Sequence, residues 1–253
     1  MKIKVINPNS SREMAEAMGK AARSVARPTT EVVAVNPEMA PASIESYYDE
    51  FLCVPGILDE IMKGDRQGFN AYIIGCYGDP GLNAAREVTD KPVIGIAEAS
   101  LYTAAMLAAR FSIVTIIPRF KVCLEEMVRS YGFEHRVANI RTTPLYVLDA
   151  ESDQQRCLKE LGAEARRAME EDDAEAILLG CGGFAEFANQ LEQEIGIPVL
   201  DGVVCATKMA EALVDLGRTT SKRKTYRFPE TKPFTGMLRH FGSESPQRVA
   251  AVR

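Results

Sequence analysis

One short unit occurs twice in the chain, and this repeat constrains the fold more than any other feature. AYIIGC at 71–76 returns as AILLGC at 176–181, an offset of 181 − 76 = 105 residues. PVIGI at 92–96 returns as PVLDG at 198–202, an offset of 198 − 92 = 106 residues. Apolar segments that begin at residues 3 and 111 are also separated by 111 − 3 = 108 residues. Three landmarks in one order at nearly constant spacing predict two similar halves.

Short β-branched segments alternate with helical segments throughout both repeats, which favours an α/β architecture. Several of the strands are apolar at every position, as in parallel sheets covered by helices on both faces. We therefore predict two pseudo-symmetric three-layer α/β halves with largely parallel sheets and an active site in the cleft between them. The predicted strands are 3–7, 31–35, 71–76, 92–97, 111–117, 174–181 and 197–200, and the predicted helices are 10–26, 52–65, 81–89, 98–109, 119–131, 152–171, 184–195 and 203–216.

The repeat also divides the chain. Residues 1–110 are predicted to form the first half and residues 111–217 the second, with the last helix able to pack back on the first half. Residues 218–253 differ in composition, with a cluster of basic residues, several prolines and a polar end. This segment is predicted to be an extended arm followed by a disordered tail.

Composition and charge argue against several classes of function. The formal net charge is −5, whereas proteins that bind nucleic acids usually carry a basic surface. No apolar segment approaches the ~20 residues that a membrane-spanning helix needs. The first residues lack the long apolar stretch of a secretory signal, so a cytoplasmic location is expected. Six scattered cysteines and two histidines do not match zinc-ligand spacing, so neither a metal nor a disulfide is expected.

The repeat places Cys76 and Cys181 at equivalent positions, each after an apolar strand and before a glycine-rich turn. Ligands of open α/β sheets bind at the carboxyl ends of strands, where both thiols would face one cleft. A thiol and a thiolate on opposite sides of a substrate can remove a proton from one face of a carbon and return one to the other. The pair therefore predicts a racemase that uses two cysteines as acid and base and needs no cofactor.

Local sequence also suggests how these thiols are activated. Asp79 and Pro80 are predicted to cap and begin the helix after Cys76, and a helix is predicted to begin near Phe184 after Cys181. A thiol that faces a helix N-terminus has its thiolate stabilised. The remaining cysteines, Cys53, Cys123, Cys157 and Cys205, are predicted to be packing residues.

Further candidate ligand contacts lie near the ends of other strands. Asn9, Ser10 and Ser11 follow the first strand in NPNSS, and they can cap a helix or contact a ligand. Thr115 lies at the equivalent place in the second half. Ile44 can form an apolar wall of the pocket or be an ordinary packing residue. Glu98 can orient a thiol or simply begin a helix, and the sequence leaves both open.

Two other kinds of site fit poorly. GCGGFA at 180–185 matches a dinucleotide fingerprint, but too few βα units follow it to complete such a domain. A phosphatase thiol needs an arginine a few residues after the cysteine. The first arginine after Cys76 is Arg86, and the first after Cys181 is Arg218.

Six segments of the chain resemble the aspartate/glutamate racemase superfamily and, within it, the hydantoin and allantoin racemases. They are VINPNSS, IIGCYGDPGL, PVIGIAEAS, FSIVTIIPR, ILLGCGGF and IPVLDGV, and they span about 200 of the 253 residues in the expected order. The resemblance implies two pseudo-symmetric halves, a small-molecule substrate bound between them, and a homo-oligomer. It gives Cys76 and Cys181 the catalytic acid/base roles. It also implies that Asn9, Ser10, Gly78, Gly182 and Gly183 surround the ligand and that Phe184 shapes the pocket.

Departures from the family pattern bear on the substrate. Amino-acid racemases of this superfamily typically follow their cysteines with small hydroxyl residues, where this chain has Tyr77-Gly78 and Gly182-Gly183. Tyr77 is thereby also a candidate substrate contact. This departure favours a neutral 5-substituted hydantoin, with allantoin first, over a free amino acid. The alternatives are a racemase of amino-acid-derived hydantoins, another isomerase or decarboxylase of the superfamily, and a non-catalytic small-molecule sensor.

Overall fold

The computed structural model describes residues 1–243 and has two four-stranded, fully parallel sheets. The first contains β1 (Lys2–Ile6), β2 (Glu31–Val35), β3 (Ala71–Ile74) and β4 (Val93–Gly95) in the order β2-β1-β3-β4. The second contains β5 (Phe111–Thr115), β6 (Val137–Thr142), β7 (Ile177–Gly180) and β8 (Val199–Asp201) in the order β6-β5-β7-β8. The same order in both sheets confirms the predicted two-half α/β fold.

Helices connect the parallel strands and cover the sheets. They are α1 (Arg12–Val25), α2 (Tyr47–Arg66), α3 (Leu82–Val88), α4 (Ile96–Leu107), α5 (Lys121–Ser130), α6 (Asp149–Ser152), α7 (Gln154–Asp172), α8 (Ala188–Ile195), α9 (Gly202–Asp215) and α10 (Arg239–Ser243). Short 3₁₀ helices lie at Pro118–Phe120, Gly182–Phe187, Lys224–Tyr226 and Gly236–Leu238. Parallel strands need such crossover connections because their ends lie on opposite edges of the sheet.

The last helix of each half joins the two sheets. α9 contacts β3 and β4 of the first sheet, and α4 contacts β7 and β8 of the second. The two helices also pack against each other, where Gly202 of α9 lies so close to Ile96 of α4 that an added Cβ would meet its carbonyl oxygen at 2.5 Å. Because each half contributes a helix to the other, one continuous apolar core extends across the cleft.

Several elements differ from the sequence prediction, including the short helices α6 and α10, which were not predicted. β6 was not predicted because it is an edge strand with polar residues, including Arg141, which pairs with Asp172 at 2.6 Å. α2 begins earlier than predicted, since Ser46 caps it by accepting from the N–H of Asp49 and Pro55 is tolerated inside the helix. The segment after Cys181 starts as a 3₁₀ helix, and the α-helix begins only at Ala188.

The predicted arm runs across the first half. Thr220 donates from its N–H to the carbonyl of Asp90, and Lys222 Nζ donates to the carbonyls of Arg86 and Glu87 at the end of α3. Cations are favoured at a helix C-terminus because its carbonyls carry partial negative charge. The arm thereby ties the second half to the helix that follows Cys76. The predicted disordered tail lies beyond residue 243, outside the described residues.

Candidate active site

A small cavity lies between the two halves, where the carboxyl ends of the central strands meet. Its volume is about 30 Å³, enough for about two water molecules. The lining residues come from both halves: Asn7, Pro8, Asn9, Met14, Ile44, Gly75, Cys76, Tyr77, Ile116, Phe120, Val147, Gly180, Cys181 and Gly182.

Cys76 reaches the cavity from a tight turn after β3. The N–H of Gly78 points to its sulfur and favours the thiolate, while the N–H of Asp79 donates to the Cys76 carbonyl at 3.0 Å. Asp79 does not cap α3 as predicted, because Gly81 takes that position with a φ of +69°. The Asp79 carboxylate instead accepts from the N–H of Ala97 and of Glu98 at the start of α4.

A hydrogen bond between the two halves also holds the turn that follows Cys76. Tyr131, at the end of α5, donates its hydroxyl to Asp79 Oδ2 at 2.8 Å. Burial raises the pKa of Asp79 to about 7, although these donors favour its ionised form. Glu98 pairs with Arg86 at 2.6 Å and is not among the residues that line the cavity. Glu98 therefore lies in the first turn of α4 and does not orient a thiol.

Cys181 reaches the cavity from the corresponding point after β7 and is 7% exposed. The N–H of Gly183 points to its sulfur, as that of Gly78 does to Cys76. The two cysteine turns touch each other at Gly182, where an added Cβ would lie 2.6 Å from the Gly75 carbonyl oxygen. A side chain at position 182 would therefore push the turns apart.

Both thiols are harder to ionise in this cavity than free thiols, contrary to the prediction of an activated thiolate. Burial is the main cause, and it raises the pKa of Cys76 well above its usual value and the pKa of Cys181 to about 12. The glycine N–H groups lower both pKa values but do not offset burial. No long helix begins at either cysteine, so the predicted stabilisation by a helix N-terminus is small.

Glu50, in the first turn of α2, makes the surroundings of the two thiols unequal. Its Oε2 accepts from the Cys123 thiol at 3.0 Å, and its Oε1 is buried without a hydrogen-bond partner. A Cβ on Gly78 would overlap Oε1, so the carboxyl group packs directly on the Cys76 turn. Its negative charge raises the pKa of Cys76 further. The residue 105 positions later, at the offset that separates the two cysteines, is Gln155, which is neutral and exposed.

The cavity brings together Cys76 and Cys181 with four of the other candidate residues, namely Asn9, Ile44, Tyr77 and Gly182. The Tyr77 hydroxyl is hydrogen-bonded to Ser100 at 2.8 Å, so its ring contributes the wall. Ile44 comes from the segment before α2, and the adjacent Glu45 accepts from the Val147 N–H at 3.0 Å. This contact closes the cavity across the two halves.

The other candidates lie nearby but do not line the cavity. Gly78 and Gly183 contact the sulfurs of Cys76 and Cys181 through their N–H groups. Ser10 is exposed and lines a groove on the outer surface. The Thr115 hydroxyl donates to the Gly180 carbonyl at 2.7 Å, and Phe184 is fully buried against Phe187.

Several lining residues were missed by sequence reasoning. Asn7 is the first residue after β1, so its place at a strand end was the available signal. Met14, Ile116, Phe120 and Val147 are apolar and match ordinary core positions, so nothing in the sequence separates them from packing residues. Together with Ile44, they make the wall mostly apolar, and all of the lining residues are uncharged.

Residues 1–243 lack two features that are typical of other protein classes. In this part of the chain, no group of three or more His, Cys, Asp or Glu side chains is placed to hold a metal ion. None of the described helices is both long and apolar enough to cross a bilayer.

Known proteins resemble this chain over almost its full length. The sequence model of the Asp/Glu/hydantoin racemase family matches residues 3–210. A hydantoin racemase from Pseudomonas sp. (strain NS671) is 60% identical over 242 residues, which cover 96% of this chain and 97% of that protein. A hydantoin racemase from Rhizobium meliloti is 45% identical, covering 93% of this chain and 98% of the other.

Solved structures of other proteins also resemble this chain over most of its length. An allantoin racemase from Klebsiella pneumoniae superposes with a TM-score of 0.94 at 44% identity, covering 97% of this chain and 99% of that chain. Arylmalonate decarboxylase superposes with a TM-score of 0.61 at 19% identity, covering 89% of this chain and 97% of the other. At that identity the second match concerns the fold alone.

Proposed function

Because the chain belongs to the Asp/Glu/hydantoin racemase family and is an isomerase of the racemase type, we propose that it inverts the C5 centre of 5-substituted hydantoins with Cys76 and Cys181 as its two acid/base groups. The observation that carries the proposal is the placement of both thiols in one cavity at equivalent positions of two repeated halves. No cofactor is required by this chemistry.

One thiolate takes the C5 proton, and the electron pair of the C–H bond moves into the ring as an enolate. The opposite thiol gives its proton to the other face of C5, so the two sulfurs finish with their protonation states exchanged. Backbone N–H groups of the glycine-rich turns stabilise the enolate oxygen. Desolvation of both sulfurs makes the thiolate a stronger base once it forms, since burial raises the pKa of each thiol.

The cavity wall bears on which hydantoins are accepted. The lining residues are uncharged, which favours a neutral ring as the substrate. None of them is a cation that could pair with the α-carboxylate of a free amino acid. The apolar side chains of Ile44, Ile116 and Phe120 favour an apolar substituent at C5, such as those of amino-acid-derived hydantoins. Allantoin, which the sequence placed first, is the second candidate, supported by the allantoin racemase from Klebsiella pneumoniae.

Circular dichroism tests the proposal directly. Each enantiomer of 5-benzylhydantoin and of allantoin is incubated with purified protein, and the decay of optical signal is followed. We expect both enantiomers of benzylhydantoin to lose their signal faster than allantoin does. Cys76→Ser and Cys181→Ser are each expected to lower the rate by about 10²–10⁴, the usual contribution of general acid/base groups.

Cys205→Ser is the matched control, since Cys205 is buried in α9 and does not line the cavity. It is expected to racemise at nearly the normal rate. Normal racemisation by either Cys76→Ser or Cys181→Ser would show that one thiol suffices, as in a single-thiol isomerase or decarboxylase. Binding without turnover by the unmodified protein would favour the sensor.

The proposal includes a homo-oligomeric state, as the family resemblance implies. Tyr48 and Phe51, both more than 70% exposed on α2, are large apolar side chains that association could cover. Light scattering after size exclusion measures the mass, which is expected to be a multiple of the 27.8 kDa chain.

A further inference from the structure

The amide of Asn7 carries a buried polar atom that no residue within 1–243 satisfies. Asn7 is 1% exposed and lines the cavity beside Cys76 and Cys181. Its Oδ1 has no hydrogen-bond partner among the described residues. Buried polar atoms are nearly always paired, so an unpaired acceptor at the wall of a ligand cavity points to a ligand donor.

The orientation of this amide is fixed by its neighbours. Asn7 Nδ2 donates to Asn9 Oδ1 at 2.7 Å and to the Ser11 carbonyl at 3.0 Å. Both partners are acceptors, so the nitrogen must face them and the oxygen must face away. The second lining amide is already engaged, since Asn9 Oδ1 also accepts from the Ser11 N–H and Asn9 Nδ2 faces Met14 Sδ.

The backbone around Asn7 is equally constrained. Its N–H donates to the Val35 carbonyl at 2.9 Å. Asn36 Nδ2 donates to the carbonyls of both Asn9 and Ser11 at 2.8 Å, which holds the loop from its outer side. The free acceptor is therefore held in place before any ligand arrives, which is the property of a specificity contact.

We propose that Asn7 Oδ1 accepts a hydrogen bond from a ring N–H of the substrate, so that Asn7 selects cyclic diamides over rings lacking that donor. The inference rests on the proposed function, because it takes the substrate to be a hydantoin. The N–H at ring position 1 is the first candidate, since it is bonded to the C5 carbon that lies between the two thiols. A site built around such a bond strongly rejects analogues that lack the donor, because its own polar group is then left unpaired.

The test compares three substrates with the same 5-benzyl group: the hydantoin, the oxazolidine-2,4-dione in which oxygen replaces N1–H, and the 3-methylhydantoin. The measured quantity is the ratio of kcat/KM for the hydantoin to that for each analogue. We expect the unmodified protein to prefer the hydantoin by about 100-fold or more over one analogue. Asn7→Ala is expected to reduce that preference by about tenfold or more. The analogue for which the preference falls shows whether N1–H or N3–H of the ring donates to Asn7.

Asn36→Ala is the matched control, because it removes hydrogen bonds from the same loop without touching the cavity. It is expected to lower the preference much less than Asn7→Ala does, because the loop loses two hydrogen bonds but Asn7 Oδ1 remains at the cavity wall. If Asn7→Ala folds poorly by thermal melting, Asn7→Ser replaces it with the same expectation. An unchanged preference for both analogues, or an equal change in Asn36→Ala, overturns the proposal. Cys76→Ser and Cys181→Ser test the two-thiol reaction separately, because they are expected to lower the rate for all three substrates. A failure of the Asn7 proposal would change only the substrate preference.

Discussion

The contact between the two cysteine turns gives a sharp prediction for Gly182→Ala. A Cβ at this position would lie 2.6 Å from the Gly75 carbonyl oxygen, whereas an ordinary contact is at least 3.4 Å. The contacted oxygen belongs to the backbone, and the Gly75 N–H donates to the Ile6 carbonyl at 2.8 Å, so this oxygen cannot turn aside as a side chain could. The two turns must therefore separate by several tenths of an ångström. Overpacking of this kind costs about 1–3 kcal/mol of unfolding free energy.

The same displacement moves Cys76 relative to Cys181. A misplacement of about 1 Å costs roughly 100-fold in rate, so a smaller shift is expected to lower racemisation by about 10- to 100-fold. Urea unfolding and the circular dichroism assay measure the two effects.

Gly183→Ala is the matched control at the next residue. Its nearest atom would be Met14 Cε at 3.2 Å, the flexible end of a side chain, and the N–H that faces Cys181 is kept. It is expected to change stability and rate much less than Gly182→Ala. Equal effects of the two substitutions, or a fully active Gly182→Ala, would refute the reasoning.

Two further predictions concern pH. Racemisation is expected to rise with pH through the neutral and alkaline range, because one thiol must be deprotonated and burial raises the pKa of Cys181 to about 12; a rate that falls steadily above pH 7 would contradict this. Glu50→Gln is expected to lower the pKa of Cys76, so that iodoacetamide alkylates the Cys76 peptide at lower pH. Glu126→Gln is the control, because it removes a charge on α5 that acts on Glu50, and it should leave the pH midpoint of Cys76 alkylation nearly unchanged.

The sequence predicted the architecture well because the signals are local. Short apolar segments such as 71–74 and 177–180, each followed by a glycine-rich turn, are typical of buried strands, and their repetition identified the two halves. β6 was missed because an edge strand is only half covered, which allows polar residues such as Asn139 and Arg141. Local patterns therefore identify the apolar strands and lose the polar one.

The finer features of the site depend on tertiary contacts that no local pattern encodes. The sequence placed Cys76 and Cys181 at strand ends, but it predicted activated thiolates, whereas burial by residues from both halves raises their pKa values. Asn7 was predicted only as the last residue of the first strand, and the direction of its amide depends on hydrogen bonds to Asn9 and Ser11. The apolar wall could not be separated from ordinary core by residue type alone.

The two-thiol account is tested most directly by hydrogen exchange at C5 in deuterated solvent, with each enantiomer of 5-benzylhydantoin offered separately to Cys76→Ser and Cys181→Ser. Each variant keeps one sulfur on one face of the substrate. The account predicts that each exchanges the C5 proton of one enantiomer without inverting it, and that the two variants act on opposite enantiomers. Exchange of the same enantiomer by both variants, or of both enantiomers by either one, after subtraction of the uncatalysed rate, would contradict it.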